Sequence, residues 1–108
     1  RRNFDQARDF FIRALDSDPS SAQAHNGLGI VEMKAGNRGP DIEHWKQAVE
    51  IDPTNFYALY NVAVELVNDG QRDAASPYLE RFVRTAPPSV YAADIVRVRA
   101  LLSRPRLP

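Results

Sequence analysis

Three prolines set the frame of this chain. Asp18-Pro19, Asp52-Pro53 and Ala86-Pro87 stand 34 residues apart, and the same offset carries other residues with it. Ahead of each proline it superposes Ala14, Ala48 and Phe82, and likewise Phe11, Trp45 and Leu79. Beyond the first two it aligns Ala24 with Ala58, Leu28 with Val62, Gly29 with Ala63, and Gly36 with Gly70. Self-similarity at a fixed period of this size marks a repeat array, in which a unit buries its apolar face only against its neighbours.

One unit can be read from its residues. Ala24, Leu28, Val31 and Ala35 recur at helical spacing over 21–35, and Gly36 follows as a left-handed stop. A second helical run from about Gly39 to Ile51 carries Ile42, Trp45, Ala48, Val49 and Ile51 as core candidates, and Pro53 ends the unit because proline cannot continue a helix. The next unit repeats the plan, with Thr54 or Asn55 as N-cap, a helix to Asp69, Gly70 as stop, and a second helix to about Thr85. Each unit is therefore expected to be two antiparallel helices joined by a tight turn. Gly29 and Ala63, with Ala14 and Ala48 on the partner helices, allow the two helices to approach closely.

This pattern resembles the tetratricopeptide repeat family. Leu28, Gly29, Trp45, Ala48 and Pro53 match its small, large-apolar and proline positions in one repeat, and Val62, Ala63, Leu66, Ala75, Leu79 and Pro87 match them in the next. Phe4, Ala7, Phe11, Ala14, Leu15, Asp18 and Pro19 resemble the second helix of a preceding repeat. The resemblance implies an all-α antiparallel helix-pair solenoid, a right-handed superhelix of about six helices. Its expected divisions within a single domain of 1–108 are a partial repeat over 1–19, full repeats over 22–55 and 56–89, a capping helix over 90–102 and a tail over 103–108. Departures from the family pattern are Glu32 in place of a large apolar residue, Asp41 in place of a small one, and Phe82 in place of alanine. Gly39-Pro40 is expected to shorten one helix, and Pro77 to kink another.

Composition excludes several chemistries. The 108 residues contain no cysteine, so neither a disulfide scaffold nor a thiol-based nucleophile or metal site can be built. Fourteen basic side chains balance fourteen acidic ones, which argues against a general electrostatic grip on nucleic acid or anionic lipid. No apolar run reaches the ~20 residues of a membrane helix. His25 and His44 fall on different helices without metal-ligand spacing, and Gly27-Leu28-Gly29 lies inside a helix rather than after a strand. The expectation is a protein with no catalytic residues, cofactor or metal, and no nucleic-acid or membrane partner. The chain starts at Arg1 without an initiator Met, as expected of a piece of a longer protein; its compartment is left open, with the cytoplasm as the default.

By resemblance, the first helices of the repeats line a concave surface that receives an extended peptide or a helix of a partner protein. Its expected residues are Gln23, Asn26, Gly27, Ile30, Met33 and Lys34 in one repeat and Tyr57, Tyr60, Asn61, Val64, Val67 and Asn68 in the next, joined by Tyr91, Asp94 and Val98 of the capping helix. Chaperone-binding members of the family grip a terminal carboxylate with lysine, arginine and asparagine. Asn61 matches one such asparagine, but Asn26 and Tyr60 stand at other key positions and only Lys34 is nearby, so a nearly neutral, partly aromatic groove is expected instead. Arg97, Arg99, Arg104 and Arg106 read as a solvated outer face and tail. Two other readings stand beside peptide binding. Phe4, Phe10, Phe11 and Leu15 lack a preceding helix and suggest self-association into a homo-oligomer; or the chain is the structural tail of a larger protein.

Overall fold

The computed structural model describes residues 2–103. Those residues form six α-helices and no strand: α1 Arg2–Ser17, α2 Ala22–Lys34, α3 Pro40–Ile51, α4 Phe56–Asn68, α5 Arg72–Thr85 and α6 Pro88–Ser103. The expected arginines and prolines of the tail, Arg104, Pro105, Arg106 and Pro108, lie outside the described residues. The chain divides into two compact units, Arg1–Ala58 and Leu59–Pro108, with the boundary inside α4.

In the first unit, α2 starts where Ser21 turns its hydroxyl back to accept the Ala24 N–H at 3.1 Å, replacing one of the partners a helix start lacks. It stops at Gly36, whose φ of 83° is the left-handed conformation that a side chain disfavours. Two bonds close the end: Gly36 N–H to the Met33 carbonyl at 3.0 Å, and Asn37 N–H to the Glu32 carbonyl at 2.8 Å. This paired arrangement satisfies the last free carbonyls and reverses the chain. One repeat later, Gly70 (φ 79°) and Gln71 make the same two bonds to Val67 and Leu66.

Helix α3 begins at Pro40, in the first turn, where a missing N–H is harmless. Its counterpart α5 begins at Arg72, which lies 34 residues beyond Arg38, so α3 does start two residues late in the repeat. Asp41 supports this shortened start: Oδ1 accepts the Gly39 N–H at 3.0 Å and the Ile42 N–H at 2.7 Å, while the residue is fully buried. Ile42, Trp45, Ala48 and Val49 pack inward as expected. Ile51 does not; it is 41% exposed. At 3.6 residues per turn, nine positions rotate it to the side of α3 opposite Ile42.

Two glycines set how closely the helices of this unit pack. A Cβ on Gly29 would meet Trp45, with Cδ1 at 2.6 Å and Cε2 at 2.7 Å, so the indole of α3 lies directly on the α2 backbone. The indole N–H donates to the Asn26 carbonyl at 3.3 Å. On the other side, a Cβ on Gly27 would run into the Phe11 ring of α1. Arg8 of α1 adds an ion pair to Glu32 of α2 at 2.8 Å, and Glu32 also accepts from Asn37.

At the start of α4 it is Asn55 that caps, accepting the Ala58 N–H at 3.1 Å, while Thr54 bonds Asp52. In the second unit, Leu59, Val62, Ala63 and Leu66 of α4, Ala75, Leu79 and Phe82 of α5, and Ile95 and Val98 of α6 form the core. Helix α5 continues through Pro77 to Thr85. Helix α6 begins two residues earlier than expected, and Tyr91 (φ −114°, ψ 27°) departs from helical geometry within it. Arg72 Nη2 donates to the Leu101 carbonyl at 2.7 Å, tying the start of α5 to the end of α6. No helix among the described residues is long and apolar enough to cross a membrane.

Candidate peptide-binding surfaces

In the second unit the residue out of pattern with the family, Phe82, is the floor of an aromatic cluster. Its ring is fully buried on α5, with Tyr60 of α4 at 5.5 Å and Tyr91 of α6 at 5.8 Å, the latter edge to face. Aromatic pairs at such separations add to simple area burial. Both tyrosines remain half-exposed, so the cluster presents rigid rings with polar tips at the surface shared by α4 and α6.

Arg97 joins this surface. Its Nη1 donates to the Tyr60 hydroxyl at 2.8 Å and to Asp94 Oδ1 at 3.1 Å, while the side chain is 60% exposed. Tyr60 first, and Asp94 after it, hold the guanidinium even more firmly in its charged form. Arg97 is solvated, as expected of an outer face, and its Nη1 also reaches Tyr60, 37 residues away. The available signal was spacing, since Tyr91, Asp94 and Arg97 follow one another at three-residue intervals along α6. Tyr91 and Asp94 are half-buried, Tyr91 against Phe82 and Asp94 bonded by Arg97. Val98 is fully buried and belongs to the core instead.

Along α4, Tyr57, Tyr60, Asn61, Val64 and Asn68 keep the i, i+3, i+4, i+7 and i+11 spacing of one helix face. Tyr57 is 65% exposed; Asn61, Val64 and Val67 are half-buried, and Asn68 is exposed. Tyr57 belongs to the first unit and the others to the second.

In the first unit, Gln23, Met33 and Lys34 of α2 are exposed, and Asn26 and Ile30 are half-buried. Gly27 lies beneath Phe11 and offers no surface to a ligand. The apolar residues of α1 do not form one exposed face: Phe10 is 67% exposed, whereas Phe4, Phe11 and Leu15 are half-buried, Phe11 through its contact with α2.

Between α2 and α3, the rings of His25 and His44 approach to 5.8 Å at an interplanar angle of 32°. Both Nδ1 atoms are buried without a hydrogen-bond partner among the described residues. Burial first, and His25 second, push the His44 imidazole below its ordinary value, against the opposing pull of Glu32 and Glu43. Glu32 itself titrates below the ordinary carboxylate range, chiefly because Arg8 bonds its charged form. Among the described residues, no three His, Cys, Asp or Glu side chains gather to hold a metal ion.

Helix pairs closed by the same glycine turn at one 34-residue interval define a helical repeat protein. The chain belongs to the tetratricopeptide repeat family, whose sequence profile matches residues 1–56. It is a non-catalytic protein-interaction module. Over 80 residues, 74% of its length, it is 34% identical to a peroxisomal targeting signal receptor of Komagataella phaffii. It is 32% identical over 95 residues to the peroxisomal targeting signal receptor of Eremothecium gossypii, and 29% identical over 82 residues to a human PEX5-related protein. The chain spans about one seventh of these relatives, covering 14%, 17% and 13% of their lengths.

Proposed function

We propose that the chain binds a short segment of a partner protein, a targeting-signal peptide by kinship with the receptors it resembles. The observation that carries this reading is the Tyr60–Phe82–Tyr91 cluster, which anchors two half-exposed tyrosines on α4 and α6 over one buried ring. Aromatic side chains held rigid in this way lose little conformational freedom on binding, and interface hot spots favour them. In the second unit Asn61, Val64 and Asn68 continue the α4 face beyond Tyr60; in the first, Gln23, Asn26, Ile30, Met33 and Lys34 of α2 and Tyr57 stand at the corresponding repeat positions. The amides supply partners for a peptide backbone, and the tyrosines and Val64 take its side chains.

The test is fluorescence polarisation with a labelled peptide carrying a peroxisomal targeting signal, using wild type and a Tyr57→Ala/Tyr60→Ala variant of unchanged helicity. The variant is expected to lose at least tenfold in affinity, as when a hot-spot aromatic worth about 2 kcal/mol is truncated. Equal binding by both proteins would remove the α4 face from the reading.

A further inference from the structure

We infer that the His25–His44 contact is a pH-operated latch, which opens the α2–α3 seam around Trp45 on acidification while α5 and α6 keep their structure. The two rings stand 5.8 Å apart across the seam, and both Nδ1 atoms are buried with no hydrogen-bond partner among the described residues. A neutral imidazole meets that condition at least cost by carrying its proton on Nε2 and leaving Nδ1 a bare acceptor. Charging a ring places a second N–H on Nδ1, where no acceptor waits and the atom is shut away from water. The groups around the pair do not supply one. Arg8 of α1 and Asn37 hold the Glu32 carboxylate of α2, and Lys46 stands 3.9 Å from Glu43 of α3. Asp41, one turn before His44, keeps Oδ1 on the Gly39 and Ile42 N–H groups, and its buried Oδ2 bonds neither ring. The first-unit part of α4, residues 56–58, brings only the Tyr57 phenol. Burial and the facing His25 outweigh Glu32 and Glu43, in keeping with the lowered titration of His44.

The adjoining contact of the seam links the pair to Trp45. Asn26 and Trp45 each follow one of the two histidines, and the indole N–H donates to the Asn26 carbonyl at 3.3 Å. Nδ1 gains water when α3 draws back from α2 at the histidines, and that movement breaks the Asn26–Trp45 bond beside them. Asn26 also belongs to the α2 face assigned above to peptide contact, so the opening reaches that face; the opening itself does not depend on that reading.

The experiment follows hydrogen exchange of the Trp45 indole N–H in the full chain between about pH 7.5 and 5.5, corrected for the intrinsic pH dependence of exchange. Trp45 is the only tryptophan, so its indole resonance needs no assignment. Opening linked to uptake of one proton is expected to lower the protection by up to about tenfold for each pH unit below about 6.5. Amides of α5 and α6 keep their protection over the same interval, and His44→Gln holds the indole protection constant. In the wild type at about pH 7.5, a long-range proton–nitrogen spectrum is expected to show His44 protonated on Nε2 and bare on Nδ1. Indole protection that ignores pH, that falls in step with α5 and α6, or that falls as steeply in His44→Gln would overturn the inference. A proton on His44 Nδ1 in the neutral wild-type protein would overturn it without recourse to any variant.

Discussion

Gly29→Ala adds one methyl group where Trp45 of α3 lies on the α2 backbone, and two effects of opposite sign decide its outcome. In a helix interior, exchanging glycine for alanine is favourable by about 1 kcal/mol, because the unfolded chain loses freedom and the helix gains a good former. Against this, the new Cβ would stand 2.6 Å from Trp45 Cδ1 and 2.7 Å from Cε2. Trp45 is 1% exposed and its indole N–H is bonded to the Asn26 carbonyl, so the ring has no open side to move into. Overpacking of this kind costs about 1–3 kcal/mol, so the net effect is a destabilisation of up to about 2 kcal/mol. For a chain of this size that lowers the melting temperature by several degrees, at about 4–8 °C per kcal/mol. Urea unfolding followed by circular dichroism measures it directly. The decisive control is the same exchange in a Trp45→Leu background, where the obstructing ring is gone and alanine should stabilise by about 1 kcal/mol. A Gly29→Ala protein stabilised by the full helix-propensity gain of about 1 kcal/mol, or a loss that persists without Trp45, would refute the argument that the indole limits the α2–α3 approach.

Two further outcomes are expected in the first unit. Glu32→Ala removes the acceptor shared by Arg8 and Asn37 and should speed amide hydrogen exchange in α1 more than in α3; equal protection in wild type and variant would show that Phe11 and Gly27 hold α1 alone. Because the folded-state His44 titrates below its ordinary value near 6.5, the unfolded chain binds that proton first. Stability from this source is complete above about pH 6.5 and is lost as the pH falls below it. The urea midpoint should therefore drop between about pH 7.5 and 5.5, and His44→Gln should flatten the dependence over that interval; an unchanged slope in the variant would assign the effect elsewhere.

Those features that depend on the local chain were legible in the sequence. Gly36 and Gly70 announce left-handed stops because little else adopts a positive φ at that position, and Asn55 and Pro40 mark helix starts for equally local reasons. The inward faces of α2 and α3 followed from apolar spacing, and that of α4 from repeat position. Ile51 escaped because it is apolar at a position that rotates away from the core, and composition cannot distinguish the two sides of a helix end. The candidate surface was only half legible. Tyr60, Tyr91 and Asp94 could be placed by repeat position, but the Arg97–Tyr60 bond joins residues 37 apart, and the meeting of Arg8 with Glu32 spans 24. Such encounters depend on how long side chains extend across a helix crossing, which periodicity does not encode. Phe82 shows the same limit from the other side: it was visible as a departure from the family, yet only its neighbours reveal that it supports two tyrosines.

The packing of the first unit joins α1 to α2 and α2 to α3, each helix to the next along the chain, and residues 35–39 are all that separate α2 from α3. Little loop-closure entropy opposes such pairings, since the ends to be joined are never far apart. Chains built from neighbouring contacts reach their folded state quickly, and their stability accumulates one interface at a time. A lesion in α1 is thus expected to loosen α1 from α2 first, leaving the α2–α3 hairpin as a nucleus from which refolding restarts.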